Sequence, residues 1–142
     1  MEARDLSFEV IAVGQRAEFA RTISAQEVAE FARLTGDCNP LHMDETFART
    51  TRFGARVVHG MLVASHFSTL IGMYLPGRRA LYVGQDLAFV RPVHIGDTIR
   101  VVGEVVQKST ATRMLMLKTE VYNQRAELVV RGTAKALVLE GG

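Results

Sequence analysis

The chain has 142 residues, of which 48% are apolar and 23% charged, and a formal net charge of +2. This suits one domain over residues 1–142 with a real core, and it excludes global disorder. So small a charge, with no run of Lys or Arg interleaved with aromatics, excludes nucleic acid as the partner and leaves a phosphate-bearing small ligand compatible.

Cys38 is the single cysteine, so no intramolecular disulfide forms, and no Cys/His cluster has zinc spacing. No metal is expected. Met1 to Asp5 carries both signs of charge and lacks the long apolar run of a leader. The longest apolar stretch, Met61 to Leu75, is broken by Ser65, His66, Ser68 and Thr69, and is too short and too polar to span a bilayer. A cytoplasmic protein without a membrane span is the expectation.

Leu6 to Ala12 leads into a turn at Val13, Gly14 and Gln15, and a strand follows over Ala17 to Ile23. Ser24, Ala25, Gln26 and Glu27 have the capping-box pattern, with Glu27 placed to reach back to the Ser24 amide. The helix they open buries one face through Val28, Phe31 and Ala32 and stops at Gly36. Asp37 to Met43 reads as loop, because Pro40 cannot donate to a ladder and biases Asn39 toward extended geometry. A short helix is expected around Glu45 to Thr51. Another begins at Gly60 and ends near Gly72. Its apolar residues Met61, Leu62, Val63, Ala64, Phe67, Leu70 and Ile71 point nearly all the way round, as in a buried helix.

Leu75, Pro76 and Gly77 turn the chain, and the rest reads as strand. Leu81, Val83, Leu87 and Phe89 alternate with Tyr82, Gly84, Asp86 and Ala88 in one run ended by Pro92. Ile99, Val101 and Val105 make the next strand. Leu115, Leu117, Thr119 and Val121 alternate with Met114, Met116, Lys118 and Glu120. After a loop at Asn123 to Ala126, Leu128 to Leu139 is the last. Long strands joined by short turns imply an antiparallel sheet, and the fold class is α+β. Periodicity does not select how sheet and helix wrap.

Asp37 and His42 lie five residues apart across a proline-stiffened turn at Asn39 and Pro40. Such a turn brings a carboxylate and an imidazole to one point, where they can share a water. Taken alone, the pair has two readings: an acid/base site, or Asp37 and Asn39 as simple turn chemistry. The second feature is Val57, Val58, His59, Gly60 and Met61, leading into the buried helix. Backbone N–H groups are free at a helix start, the macrodipole makes that end positive, and Gly60 has no side chain to keep a ligand carbonyl away. Together these parts suit the addition of water to a 2-enoyl thioester, which needs acid/base help and donors for the developing enolate oxygen. No redox or metal cofactor is called for.

The stretch Phe31 to Ala48 resembles the signature of the hydratase-2 family, also called MaoC-like dehydratases. That signature is an aromatic, then Gly-Asp-x-Asn-Pro-hydrophobic-His, here Gly36 to His42, and a small residue six positions beyond, here Ala48. His59 to Leu62, Phe67 and Ser68, Leu75 to Gly77, Tyr82 to Gln85, and Phe89 with Pro92 and Val93 resemble its short bacterial members, so the likeness runs over roughly Val13 to Val138. It implies a hot-dog fold, a long helix wrapped by an antiparallel sheet, in a homodimer. It implies (R)-specific hydration of trans-2-enoyl-CoA to (R)-3-hydroxyacyl-CoA, with Asp37 and His42 activating one water. Asn39 would orient the pair, Gly60 would contact the thioester oxygen, and Ser68 would match a helix serine near the pair in polyester-linked (R)-hydratases. Cys38 fills the variable position.

Other readings stand beside these. Thioester hydrolysis on the same fold usually uses a carboxylate on or near the central helix, and Gly60 to Gly72 contains no Asp or Glu. A non-catalytic acyl-CoA-binding module would have no need of the Asp/His pair. His59 is read as donating to backbone before the helix, His66 as a satisfied core or interface histidine, and His94 as lying at a strand end on the surface. Ser68 has a structural alternative, a bond back to the Ala64 carbonyl. Leu70 and Ile71 are candidates for the acyl pocket. Arg49, Arg52, Arg56, Arg78 and Arg79 read as a solvated face, with none assigned to phosphate.

Overall fold

A computed structural model describes residues 1–141. After a 3₁₀ turn at Phe8–Val10 come β1 (Arg16–Thr22), α1 (Ala25–Thr35), α2 (Pro40–Met43) and α3 (Glu45–Arg49). The central helix follows as α4 (Gly60–Ala64), α5 (His66–Thr69) and a π-helical turn at Leu70–Tyr74. Ser65 and Leu70 keep right-handed helical backbone angles, so these pieces make one nearly continuous helix. The remaining strands are β2 (Ala80–Gln85), β3 (Ala88–Phe89), β4 (Thr98–Ser109), β5 (Met114–Tyr122) and β6 (Leu128–Val138).

The strands form one antiparallel sheet in the order β1-β4-β5-β6-β2, with β3 also paired to β6. Its inner face carries Ile99, Val101, Val105, Leu115, Leu117, Val121, Ala134 and Ala136, all fully buried. The helix lays Phe67, Leu70 and Ile71 into the same core. Gly103 explains how closely they meet: a Cβ there would fall 2.7 Å from Leu70 Cδ2. This is the hot-dog arrangement, α+β, that the resemblance implied.

The elements follow the local signals closely at α1. Ser24 Oγ accepts from the Glu27 amide at 3.1 Å, and Glu27 Oε1 accepts from the Ser24 amide at 2.9 Å. Gly36 ends the helix at φ 82°, a left-handed angle cheap only for glycine.

Four expectations are corrected. The stretch expected as loop contains α2, because a proline at the first helical position keeps its preset φ and loses no needed donor. The central helix runs past Gly72 to Tyr74, since a lone glycine costs only about 1 kcal/mol against packing on the sheet. It is not buried all round: Met61, Ser65 and Ser68 are exposed. The run from Leu81 to Phe89 is two strands, and of its apolar residues Leu81, Val83 and Phe89 are 49%, 46% and 52% exposed while Leu87 packs against the core. Alternation marks two faces without saying which is inside, and β2, at the sheet edge with a register shift between Tyr82 and Gly84, turns Tyr82 inward.

Candidate active site

Between α1 and α3 the chain makes a compact corner. Asn39 caps α2, its Oδ1 accepting from the Leu41 amide at 2.9 Å, and Asp37 Oδ1 accepts from the Asn39 amide at 3.2 Å. His42 rides on α2. Asp37 lies before the cap, outside the helix, so the two side chains are free to converge. Asp37 Oδ2 is 4.0 Å from His42 Nε2. That is too far for a direct hydrogen bond and leaves a water able to reach both.

The protonation of His42 follows from its other nitrogen. Nδ1 lies 2.7 Å from the Val57 carbonyl oxygen, which can only accept, so the neutral ring carries its hydrogen on Nδ1. Nε2, facing Asp37, is left with its lone pair. Arg56 Nε donates to the His42 carbonyl at 2.6 Å and steadies the same turn from the segment before the central helix. Reading the sequence placed Arg56 on a solvated face. Nothing short of the fold links it to His42, fourteen residues away.

His59 is the residue before the central helix, 2% exposed. Its Nε2 donates to the Asp37 carbonyl at 2.9 Å, the backbone role expected for it. Its ring stacks on His42, centroids 4.0 Å apart and planes 29° apart, and Phe31 of α1 packs on it, tilted, at 4.9 Å. Gly60 follows at the helix start, where the first amides have no intrahelical acceptor. A Cβ on Gly60 would come 2.9 Å from the Phe89 ring.

His42 and Gly60 line one cleft of about 450 Å³, walled by Phe53, Met61, Val63, Phe89, Val90 and Val130 among others. The lining is mostly apolar with a few polar groups, as in small-molecule sites. Asp37 is not in the lining; its half-exposed carboxylate meets solvent on the far side of the 4.0 Å gap. Ser68 is exposed on the helix and outside the lining, and it is Ser65 that bonds back along the helix, to the Leu62 carbonyl at 2.6 Å. Leu70 and Ile71 are 0% and 1% exposed in the main core and outside the cleft, because their helix face is the one pressed on the sheet.

The other singled-out groups have ordinary partners. His66 is buried, with Nδ1 3.1 Å from the Leu62 and Val63 carbonyls. His94 is half-buried rather than on the surface, its Nδ1 3.1 Å from the Arg56 carbonyl. Arg49 pairs with Glu45, and Arg79 with Asp5, whose carboxyl the Arg79 hydrogen bond holds below its ordinary range. Arg52, over the Phe53 ring, lines the cleft, and so does Arg91.

Asp37, His42 and His59 also bring three metal-type donor atoms within 4.8 Å of one another. Imidazole lone pairs lie in the ring plane, however, and these two rings lie face to face, so their lone pairs do not converge on one ion.

Residues 9–126 match the family model described as MaoC like domain. The (R)-specific enoyl-CoA hydratase of Aeromonas caviae is 43% identical over 129 residues, 91% of this chain and 96% of that protein. The solved (R)-hydratase from A. caviae involved in PHA biosynthesis aligns at TM-score 0.90 and 42% identity, covering 92% of this chain and 98% of that one. The unliganded R-hydratase of Pseudomonas aeruginosa aligns at TM-score 0.93 and 37% identity, covering 98% and 89%. With the family match spanning most of its length, this chain belongs to the MaoC-like dehydratases.

Proposed function

We propose that this protein is an (R)-specific enoyl-CoA hydratase, a hydro-lyase that adds water to trans-2-enoyl-CoA to give (R)-3-hydroxyacyl-CoA. The observation that carries the proposal is the bare Nε2 of His42 set 4.0 Å from the Asp37 carboxylate beside the cleft that begins at Gly60. The relatives so named support it. Asp37 and His42 hold one water between them. Its oxygen bonds the β-carbon of the enoyl chain, one of its protons passes to the pair, and a proton from the pair goes to the α-carbon. The net change is H and OH across the double bond. The Gly60 amide, at the positive end of the central helix, holds the thioester oxygen while it carries enolate charge, a contact worth about 3–4 kcal/mol when made by one such donor. Asn39 keeps the turn that carries both acid/base groups, through its cap on α2 and its amide to Asp37.

The reaction needs neither a redox cofactor nor a metal, and the proposed assembly is a cytoplasmic homodimer of a single domain. Among the described residues no helix is long and apolar enough to cross a membrane. Relatives named as 3-hydroxyacyl-[acyl-carrier-protein] dehydratases, 36% identical over 91% of this chain in one case, favour a second thioester carrier as an alternative. Crotonyl-CoA decides the main reading. Its enoyl absorbance falls on addition of the protein, with (R)-3-hydroxybutyryl-CoA as product. Release of free CoA thiol without hydration would replace the reading by hydrolysis, and saturable binding without turnover would replace it by a binding module.

A further inference from the structure

His59 is more deeply placed than a helix-capping residue needs to be. It occupies the cap of α4 yet makes no side-chain hydrogen bond to that helix. Its Nε2 instead reaches across 22 residues to the Asp37 carbonyl. Since a carbonyl only accepts, Nε2 bears the hydrogen and Nδ1 is bare. Among the described residues that Nδ1 is the one buried side-chain nitrogen or oxygen with no hydrogen-bond partner. An orphaned buried acceptor is a cost that Leu or Phe at this position would avoid.

The bond has a mirror image. The 57–59 segment gives its Val57 carbonyl to His42, and the 37–42 segment gives its Asp37 carbonyl to His59. The two imidazoles stack between these crossed bonds. They clasp the segment that supplies the acid/base pair to the one that supplies the Gly60 amide.

We infer that His59 is a positioning residue of the hydration site: its Nε2–H holds the Asp37 main chain, and its ring backs His42, so that carboxylate, imidazole and Gly60 amide keep one spacing. The inference rests on the hydratase reading above. His59 lies outside the cleft lining. Its effect is geometric, and a misplacement of about 1 Å in such a constellation costs about 10²-fold in rate.

Two measurements on the full chain test this. The first is steady-state hydration of crotonyl-CoA, normalised to folded protein by thermal unfolding. His59→Leu, which keeps bulk and loses the donor, lowers kcat about 10²-fold with KM little changed. His59→Gln, which returns an N–H near the Nε2 position, recovers most of that loss. Equal loss in both variants would reduce His59 to a core filler, and so would unchanged kcat in His59→Leu. The second is the nitrogen spectrum of the histidine rings in the unsubstituted protein at neutral pH, which needs neither activity nor a folded variant. The hydrogen of His59 is expected on Nε2 and that of His42 on Nδ1. Finding the hydrogen of His59 on Nδ1 alone would overturn the clasp. A protein that hydrates no enoyl-CoA but has the expected spectrum would instead sink the hydratase reading, and with it the positioning role, while leaving the clasp standing.

Discussion

Asp37→Asn separates chemistry from stability more cleanly than any other change at this site. The side chain is 50% exposed and its fold contact is the Asn39 amide on Oδ1 at 3.2 Å. An amide oxygen keeps that bond, so the fold loses only a half-solvated charge 4.0 Å from His42. Changes of this kind stay within about 0.5 kcal/mol, a shift in Tm of no more than about 2 °C for a chain of this length. The reaction loses a group that orders and activates the water. Acid/base help of this kind is worth about 10²–10⁴-fold, or about 2.7–5.4 kcal/mol at about 1.36 kcal/mol per tenfold. The assay is crotonyl-CoA hydration, with kcat and KM read separately and Tm measured on the same sample. The expected result is a kcat down by at least about 10²-fold at an unmoved Tm. A variant that keeps kcat within about tenfold would refute the assignment.

Two further expectations concern the frame. Burial pushes the Tyr82 hydroxyl up from 10.0 to about 12, so the fold favours its neutral form; the stability this supplies is complete below pH 10 and is lost as pH climbs toward 12. Tyr82→Phe should therefore flatten part of the alkaline fall in denaturant midpoint, and an unchanged slope would remove Tyr82 from the account. Ser24→Ala removes one half of the α1 capping box and should cost about 1 kcal/mol in urea unfolding while leaving kcat alone.

What the chain spells out by itself is what neighbours in sequence can decide. The capping box at Ser24 and Glu27, the stop at Gly36 and the alternation of β5 act over a few residues, and each stands where it was read. The Asp37 to His42 spacing was legible too, because Asn39 and Pro40 constrain the turn between them, although the turn is tighter and partly helical. Chain order and alternation could not decide which face of β2 is inside, nor whether Leu70 and Ile71 meet the cleft or the sheet. Both depend on which surfaces pack, and Gly103 draws that helix face onto the sheet. The same holds for protonation at the site. The hydrogens of His42 and His59 are assigned by carbonyls 15 and 22 residues away, and only the folded chain brings those acceptors within reach.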